Sequence, residues 1–570
     1  MNRINFLSEL ESIVGKKNIL VNKQQTEHFR KGFRSGEGDA LCVVFPTRLI
    51  HQWELIKLCI ATDKIIIMQA ANTGLTEGST PNGNDYDREI VIINTTRITN
   101  IQLIKNGEQI ISFPGATLHS LEKLLRPLKR SPHSVIGSSC LGASVVGGVC
   151  NNSGGALVKR GPAYTELSLF AQIGVDGQVE LVNHLGVANL GETPEQILMN
   201  LEAGNFSDKD IIDDGKLASD KEYTQRLRDV DADTPSRYNA DKRRLHEVSG
   251  CAGKVAVFAV RLDTYPIAKK EQVFYIGTNK PEVLTKLRRD MLTGFSDVPE
   301  VAEYMHRDAF NLAEKYGKDT FVMINLLGTD HLPKLFSIKG AITARLNKIA
   351  FLPNNIPDKF LQLVSRLWPQ CLPKRLLDFR DKYEHHLILK MSEGSIEEAQ
   401  AYLSSTLGET PARDSGFFEC TKEEGDKALL HRFAAAGAPG RYQIIHEKEV
   451  EDILPLDIAL RRNDNEWVEQ LPEEIESQVM EKLYYGHFFC FVFHQDYIMK
   501  KGCDIKAIKS DMLTVLEKKG AKYPAEHNVG HLYDAEEQLK HFYNELDPTN
   551  TFNPGIGQQS KLKEIFYPMR

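Results

Sequence analysis

The sequence predicts an α+β fold of two or more domains, with glycine-rich loops confined to the amino-terminal part. Three observations predict this fold. At 570 residues the chain is too long for one hydrophobic core. Short apolar runs alternate with helical patterns from Leu41 onward. Beyond about residue 267 this alternation continues, but the glycine-rich stretches disappear.

Hydrophobic periodicity places elements along the first 130 residues. Residues 1–38 have a helical and then an irregular pattern. In order, the following elements are a strand at Leu41–Pro46, a helix at Leu49–Thr62, strands at Lys64–Gln69 and Glu89–Asn94, a hairpin at Gln102–Phe113 and a helix at Leu118–Arg126. The hairpin is expected to turn at Asn106-Gly107, and Pro127 ends the helix.

Two glycine-rich stretches indicate a site for an elongated anion. Residues 70–81 follow the apolar run Lys64–Gln69 directly, and residues 133–161 contain seven glycines among Ser, Cys and Asn. Glycine allows backbone to approach another surface closely, and successive bare N–H groups form concave anion sites. The pyrophosphate of a dinucleotide would suit these two stretches. Neither the Rossmann fingerprint G-x-G-x-x-G nor the P-loop ending G-K-[ST] occurs in them. The alternative is that both stretches are only tight turns.

Further elements follow the second glycine-rich stretch. Glu166–Leu185 is expected to form two strands that turn at Asp176-Gly177, and residues 190–245 are polar with helical stretches. Val255–Leu262 is a strong strand. We expect a second α+β domain after it, and a final segment from about residue 525.

The composition excludes several classes of protein. The formal net charge of −7 argues against a nucleic-acid binder. Nine scattered cysteines without a C-x-x-C pair favour reduced thiols in a reducing compartment. The first residues resemble an amphipathic helix, not a signal peptide. No run of 18 or more apolar residues occurs, so no transmembrane segment is expected.

Two long motifs carry a resemblance to a known family. AANTGLTEGSTPNGNDYDR at 70–88 and HSVIGSSCLGASVVGGVCNNSGG at 133–155 resemble the FAD-binding half of the vanillyl-alcohol oxidase superfamily. The resemblance implies a two-part PCMH-type (p-cresol methylhydroxylase-type) FAD-binding domain at 1–265, an α+β cap or substrate domain at 266–524, and a carboxy-terminal segment at 525–570 that returns to the FAD domain.

The same resemblance implies that FAD is bound non-covalently, since neither His133 nor Cys140 matches a flavin-attachment position well. The residues expected at FAD are Ala70, Ala71, Asn72, Thr73, Gly74, Gly78, Ser79, Gly137, Ser144, Gly154 and Val257.

Within the superfamily, the chain most resembles the respiratory enzymes that oxidise D-lactate and reduce a membrane quinone. This implies oxidation of D-lactate to pyruvate by a peripheral protein on the cytoplasmic face of the inner membrane. One alternative is a dehydrogenase of another D-2-hydroxy acid, such as 2-hydroxyglutarate, with a soluble acceptor. The other is a flavoprotein that binds FAD without catalysis.

Residues 331–380 form a candidate membrane-contact segment. Basic residues outnumber the two acids, Asp358 and Asp378, and apolar residues such as Phe360 and Leu367 lie between them at helical spacing. This pattern suits the surface of an anionic phospholipid membrane. The alternative is an ordinary pair of solvated helices. The basic residues are Lys334, Lys339, Arg345, Lys348, Lys359, Arg366, Lys374, Arg375 and Arg380.

Oxidation of a 2-hydroxy acid on a flavin needs a group for the carboxylate and a base for the hydroxyl proton. An arginine suits the carboxylate because its planar fork pairs with both oxygens. Resemblance to related dehydrogenases favours Arg432 for this role. Arg441, Arg461 and Arg462 are the alternatives.

Two segments supply candidate catalytic histidines, and both look like motifs that line the active site of related 2-hydroxy-acid dehydrogenases. One contains His487 and His494, and the other contains Glu526 and His527. In the relatives, two such histidines and the glutamate can hold a divalent metal, and the next histidine serves as base.

We therefore favour His527 as base, with His487, His494 and Glu526 shaping the substrate site or binding a metal. The run Phe488–Phe493 predicts a strand, which would place the two histidines on opposite faces unless a bulge intervenes. Weaker candidates are His306, His385 and His386.

Overall fold

The computed structural model describes residues 3–133, 142–327, 338–340, 342–343, 345–346, 354–408 and 413–563. In these residues the strands form three main sheets, two before residue 266 and one after it. The α+β character expected from the sequence is confirmed.

The first sheet is short and mostly parallel. Its elements are α1 (Arg3–Val14), β1 (Ile19–Leu20), α2 (Lys23–Arg30), β2 (Cys42–Val44), α3 (Leu49–Ala61), β3 (Ile65–Gln69) and β4 (Ile90–Asn94). The strand order is β1-β2-β4-β3, and β2 and β3 each run parallel to β4. The apolar runs of β2 and β4 are buried throughout, as in a parallel sheet covered on both faces.

The second sheet is antiparallel. Its region comprises β5 (Ile101–Ile104), β6 (Gln109–Ser112), α4 (Leu118–Leu125), β7 (Arg130–Ser131), α5 (Val145–Cys150), β8 (Ser168–Ile173), β9 (Val179–Asn183), α6 (Pro194–Ala203), α7 (Tyr223–Arg228), β10 (Ala256–Asp263) and β11 (Tyr265–Pro266). The order is β5-β6-β10-β8-β9, and β7 pairs with β11. The two predicted hairpins and the strong strand are confirmed. Ile66 and Phe258 share one core, so the first two sheets pack together.

The third sheet has seven antiparallel strands in the order β15-β12-β14-β13-β17-β18-β16. The elements up to β15 are β12 (Glu271–Thr278), α8 (Pro281–Gly294), β13 (Val301–His306), α9 (Arg307–Tyr316), α10 (Lys318–Leu327), α11 (Ile356–Ser365), α12 (Lys374–Lys382), β14 (His385–Ser392), α13 (Ser395–Leu407) and β15 (Ser415–Glu419). The remaining elements are α14 (Lys422–Ala435), α15 (Ala438–Ile445), β16 (Val450–Ala459), α16 (Glu473–Glu476), β17 (Val479–His487), β18 (Val492–Lys500), α17 (Ile505–Lys518) and α18 (Glu537–Leu546).

A hairpin replaces the single strand expected at Phe488–Phe493. Residues Phe488–Cys490 form one 3₁₀ turn, and Phe491 takes the left-handed conformation with φ 53°. This turn joins β17 to β18, so His487 pairs with Val492 and Tyr485 pairs with His494. The expectation of one continuous strand is wrong, because the aromatic run packs into the core as a turn.

The chain after α17 returns to the first sheet. Phe552 pairs with Ile66 of β3, and the side-chain amide of Asn553 donates to the carbonyl oxygens of Gly78 and Ala252 at 2.8 and 2.9 Å. These contacts support a return of the carboxy-terminal segment. The domain limits at 265 and 524 stay a prediction.

Of the helices that the structure describes, none combines the length and the apolar character that crossing a membrane requires.

Candidate active site

The described part of the second glycine-rich stretch, from Gly142 onward, lies beside the first. A Cβ atom built on Gly142 would lie 3.9 Å from the Cβ of Ala71. Thr73 is half-buried and Gly74 is exposed, and a Cβ at Gly74 would meet no described atom within 4 Å. The backbone at the centre of the first loop therefore borders open space, as a ligand cradle requires.

Side chains in and around the first loop hold it in shape. The Ser79 hydroxyl donates to Asn72 Oδ1 at 2.8 Å, and Asn72 Nδ2 donates to the Lys31 carbonyl oxygen at 2.7 Å. The Gln69 side-chain amide donates to the Ser79 carbonyl oxygen at 2.8 Å. Asn94 Nδ2 donates to the carbonyl oxygen of Ala70 at 3.1 Å. These hydrogen bonds fix the shape of the loop. The remaining backbone groups of the loop can therefore face a ligand.

The other residues expected at FAD lie in different settings. Ser144 precedes α5, and its hydroxyl oxygen accepts the Gly147 N–H at 3.0 Å. The Val257 carbonyl oxygen already accepts from the Gln52 side chain at 2.9 Å. Gly137 lies outside the described residues. The assignment of all these residues to FAD stays a prediction.

Glu526 touches the second glycine-rich stretch. A Cβ on Gly154 would overlap the Glu526 carboxylate, so only glycine allows this approach. Arg237 Nη2 donates both to Glu526 Oε1 and to the Gly155 carbonyl oxygen, the latter at 2.8 Å. Glu526 is therefore held against the glycine-rich backbone by a buried arginine.

The hairpin brings His487 and His494 together on one face of the third sheet. Their Nε2 atoms are 3.3 Å apart, and Glu526 Oε2 lies 3.3 Å from His487 Nε2 and 3.9 Å from His494 Nε2. The expected opposite placement of the two histidines is wrong. They are diagonal neighbours on adjacent antiparallel strands, and no bulge between them is needed.

A carboxylate holds the far nitrogen of each histidine. Glu303 Oε1 lies 2.5 Å from His487 Nδ1, and Asp457 Oδ1 lies 3.2 Å from His494 Nδ1. Asp457 Oδ2 also accepts the Glu526 N–H at 2.7 Å. The two carboxylates thus orient both rings so that the Nε2 atoms point at Glu526.

Opposite charges set the pKa values in this buried cluster. Burial lowers the pKa of His487, but the carboxylates of Glu303 and Glu526 outweigh it and raise the pKa to about 10. Burial raises the pKa of Glu526, but Arg237 and His487 hold it well below its usual range. A protonated His487 between two carboxylates follows from these shifts.

The same atoms also suit a divalent cation. The ligand atoms of His487, His494 and Glu526 lie within 4.8 Å of one another, as do those of Asp457, His494 and His527. Two nitrogens bound at about 2.1 Å to one zinc ion lie roughly 3.4 Å apart in a tetrahedral site. The cluster can therefore hold either a protonated His487 or a metal ion with neutral histidines.

His527 is the accessible histidine of the cluster. Its side chain is 35% exposed, and its Nε2 lies 3.9 Å from Asp457 Oδ2. Its ring centroid is 6.3 Å from that of His494. His527 can therefore exchange a proton with a bound molecule while the carboxylate of Asp457 stabilises its charged form.

Arg432 lies on the other side of Glu303. Its Nε is 2.8 Å from Glu303 Oε2, and its guanidinium is 4.4 Å from the centre of the Tyr485 ring. Arg441 pairs with Asp319 and Asp358 at 2.7 and 3.1 Å, away from the histidines. Arg432 is thus the arginine of the predicted set that contacts the cluster.

The remaining candidates are held elsewhere. Arg461 pairs with Asp233 at 2.8 Å, and Arg462 donates to the Thr234 carbonyl oxygen at 2.9 Å. His385 Nδ1 bonds the Tyr304 hydroxyl at 2.8 Å.

His306 and His386 also lie outside the cluster. His306 caps α9, and burial lowers the pKa of His386 to about 3. His306 therefore has a structural role as the residue that caps this helix.

Sequence reasoning missed three residues of the cluster, namely Arg237, Glu303 and Asp457. Glu303 and Asp457 are acids inside the apolar strands β13 and β16. A carboxylate in a buried strand requires a partner, and this was the available signal. Arg237 lies in the polar region 190–245 and had no such signal.

Part of the candidate membrane-contact segment is described. Phe360, Leu363 and Leu367, on or just after α11, are 61%, 62% and 83% exposed. Lys339 pairs with Asp358 at 2.6 Å and Lys359 with Glu447 at 3.0 Å. Residues 331–337, 341, 344 and 347–353 of this segment lie outside the described residues. The described part therefore presents an apolar face to solvent.

Solved structures show the fold class. The chain matches p-cresol methylhydroxylase with substrate bound at a TM-score of 0.57, with 11% identity over 98% of this chain and 97% of that one. It matches 4-ethylphenol oxidase from Gulosibacter chungangensis at a TM-score of 0.58, with 11% identity over 98% and 97% of the two chains. This likeness is one of fold, and it confirms the predicted fold of the p-cresol methylhydroxylase type.

Comparison of sequences gives the family. A family model described as "D-lactate dehydrogenase, membrane binding" matches residues 273–565. The quinone-dependent D-lactate dehydrogenase of Escherichia coli (strain K12) is 60% identical over 98% of this chain and 97% of the relative. That of Haemophilus influenzae (strain ATCC 51907 / DSM 11121 / KW20 / Rd) is 56% identical over 98% of each. The chain belongs to the family of quinone-dependent D-lactate dehydrogenases.

Replacing Glu303 by Gln tests the buried charge cluster. The change leaves Arg432 and His487 without their shared carboxylate, so we expect a loss of about 3 kcal/mol in the free energy of unfolding. Chemical denaturation of the purified variant measures this loss. The matched control is Glu271→Gln, which removes an ion pair near the surface of the same sheet and should cost less than about 1 kcal/mol. Equal stability of the two variants would contradict the role of Glu303 as the buried carboxylate that Arg432 and His487 share.

Proposed function

We propose that this protein oxidises D-lactate to pyruvate with non-covalently bound FAD and passes the electrons to a membrane quinone. Membership of the family supports the substrate and the acceptor. The observation that carries the proposal is the contact of Glu526 with Gly154, because it places the histidine cluster directly against the glycine-rich stretch.

The residues present fit a dinucleotide coenzyme. The backbone at Gly74 borders open space, and Gly142 lies against Ala71, so an elongated anion bound there would contact both loops. Ala70–Gly74, Gly78, Ser79, Ser144, Gly154 and the backbone at Val257 would hold FAD, together with Gly137. Bound FAD would supply an acceptor for the hydride of the substrate carbon and a donor of two electrons to the quinone.

The side chains of the cluster transfer the proton, bind the substrate carboxylate and position the substrate. Oxidation of D-lactate removes a proton from the hydroxyl oxygen and a hydride from the carbon that carries this hydroxyl group, which leaves pyruvate. His527 takes the hydroxyl proton, since it is the most accessible histidine of the cluster, and Asp457 stabilises the charged ring. Arg432 pairs with the substrate carboxylate on the cap side. His487, His494 and Glu526 position the substrate, either directly or through a bound cation.

Anaerobic titration of the purified protein with D-lactate and L-lactate tests the proposal. We expect D-lactate to bleach the flavin absorbance and L-lactate to leave it unchanged. A flavin that stays oxidised with D-lactate but is reduced by D-2-hydroxyglutarate would assign another substrate. A flavin that no 2-hydroxy acid reduces would indicate a protein that only binds FAD, and a colourless protein that does not take up FAD would refute the cofactor.

Replacing His527 by Gln tests the base. We expect the rate constant for anaerobic flavin reduction by D-lactate to fall about a hundredfold or more, because His527 is the most accessible histidine of the described cluster. Stopped-flow absorbance measures this rate. His541→Gln is the matched control on the exposed surface of α18 and should reduce flavin at the normal rate. A similar rate in His527→Gln would exclude His527 as base.

We further propose that the exposed apolar face of α11 contacts an anionic phospholipid surface on the cytoplasmic side of the inner membrane. Phe360, Leu363 and Leu367 would enter the boundary between headgroups and acyl chains, and neighbouring basic residues would meet the phosphates. The matching family model is described as membrane binding and supports a peripheral contact.

Replacing Phe360, Leu363 and Leu367 by Ser should abolish most binding to anionic vesicles, with D-lactate-dependent flavin reduction unchanged. Three exposed apolar side chains would be lost from the contact. Co-sedimentation with vesicles that contain phosphatidylglycerol measures the binding. Val175→Ser on the β8–β9 hairpin is the control, since it removes an equally exposed apolar residue elsewhere. Equal binding by the triple variant would contradict this surface.

A further inference from the structure

The turn between β17 and β18 sets the positions of the His487 and His494 rings. Within this turn, Phe491 has the left-handed conformation with φ 53°. This conformation costs free energy for a bulky residue, so it persists only where the surrounding structure stabilises it. The contacts that hold this turn are therefore contacts that hold the two histidines.

Donors from outside the turn bond to two of its carbonyl groups. On α8, Arg288 Nε donates to the carbonyl oxygen of Phe489 at 3.2 Å. The Ser236 hydroxyl donates to the carbonyl oxygen of Cys490 at 2.8 Å. The turn is thus anchored by side chains of two segments that are distant from it in sequence.

Arg288 makes two further contacts. Its guanidinium lies 3.5 Å from the centre of the Phe491 ring, and its Nη1 donates to the carbonyl oxygen of Arg462 at 3.0 Å. The attraction between a cation and an aromatic ring is strongest where both are desolvated. Arg462 follows β16, the strand whose Asp457 orients His494. Arg288 therefore joins the left-handed residue of the turn to the end of β16.

The environment of Arg288 is unusual for a charged side chain. It is fully buried, and no carboxylate of the residues that the structure describes forms an ion pair with it. Burial lowers the pKa of Arg288 to about 9, so the guanidinium keeps its charge at neutral pH. An unpaired buried charge is costly. A methionine would fill much of the same space without this cost, but it would leave the carbonyl groups of Phe489 and Arg462 without their donor.

A shift of the turn would change the site itself. His487 immediately precedes the turn and pairs with Val492, the first residue after it. The Nε2 atoms of His487 and His494 are 3.3 Å apart, and this separation depends on the register between β17 and β18. Chemistry on a positioned substrate is sensitive to displacements of about 1 Å.

We infer that Arg288 is a positioning residue for oxidation of the 2-hydroxy acid. It fixes the turn Phe488–Phe491, and thereby the relative placement of His487 and His494, without touching the substrate. This rests on the proposed function, in which the two histidines position the substrate. Arg432 belongs to α14, outside the turn, so binding of the substrate carboxylate does not depend on Arg288.

Replacing Arg288 by Met tests the inference in the FAD-bound protein. Because the turn loses its anchor, we expect the limiting rate of anaerobic flavin reduction by D-lactate, per bound flavin, to fall about tenfold or more. The D-lactate concentration for half-maximal reduction should change less than about twofold, since Arg432 is untouched. Arg288→Lys keeps the charge and one donor, and should recover part of the rate. Stopped-flow absorbance measures both quantities.

Arg228→Met is the matched control. Arg228 also donates to two backbone carbonyl oxygens, those of Leu292 and Phe295 at the end of α8, at 2.8 and 2.9 Å. This variant should reduce its flavin at the normal limiting rate. Partial unfolding by itself would lower the amount of bound flavin and leave the limiting rate per flavin unchanged.

A normal limiting rate in Arg288→Met would overturn the inference, as would an equal slowing in Arg228→Met. If Arg288→Met does not fold, Arg288→Lys decides the question. A limiting rate about threefold or more below normal in Arg288→Lys supports the inference, because a lysine cannot bond to both carbonyl groups as a planar fork, and a normal rate overturns it. Failure of the unmodified protein to reduce its flavin with D-lactate would refute the proposed function instead.

Discussion

The carboxylate of Glu526 joins three parts of the chain that are distant in sequence. It lies against the backbone of Gly154, accepts from the buried Arg237, and meets the Nε2 atom of His487. A buried carboxylate needs such partners, because an uncompensated charge would cost several kcal/mol. The glycine-rich stretch, the third sheet and the segment after α17 are therefore held in one relative arrangement around this group.

The histidine pair depends on the hairpin between β17 and β18. Phe488–Phe491 could have continued a strand, but burial of the aromatic side chains in the core favours the turn. The turn places His487 and His494 on the same face, and Glu303 and Asp457 fix their rings from outside. Packing of the aromatic residues in the core thus determines the geometry of the polar site, although these residues take no part in its chemistry.

Much of the fold could be predicted because periodicity and glycine are local signals. The parallel strands, the β5–β6 and β8–β9 hairpins and the strand β10 follow from runs of apolar residues and turn residues. The cluster could be predicted only in part. His487, His494, Glu526 and His527 came from a resemblance, whereas Glu303 and Asp457 depend on which strands become neighbours. Strand order is a property of the whole sheet, so single-residue patterns did not reveal it.

The ion-pair partners of the arginines were the feature that the sequence predicted least well. Arg432 and Arg441 are similar in sequence context, yet one meets Glu303 and the other meets Asp319 and Asp358. An arginine acts through the carboxylates around it, and these come from distant parts of the chain.

The contact between Gly154 and Glu526 is tested most directly by a double-mutant cycle. The rate constant of anaerobic flavin reduction by D-lactate, per bound flavin, is measured for Gly154→Ala, Glu526→Gln and the double variant. Because the added methyl group displaces the carboxylate, we expect each single change to slow reduction and the double variant to be no slower than the slower single variant. Full multiplication of the two effects, or a normal rate in Gly154→Ala, would contradict it.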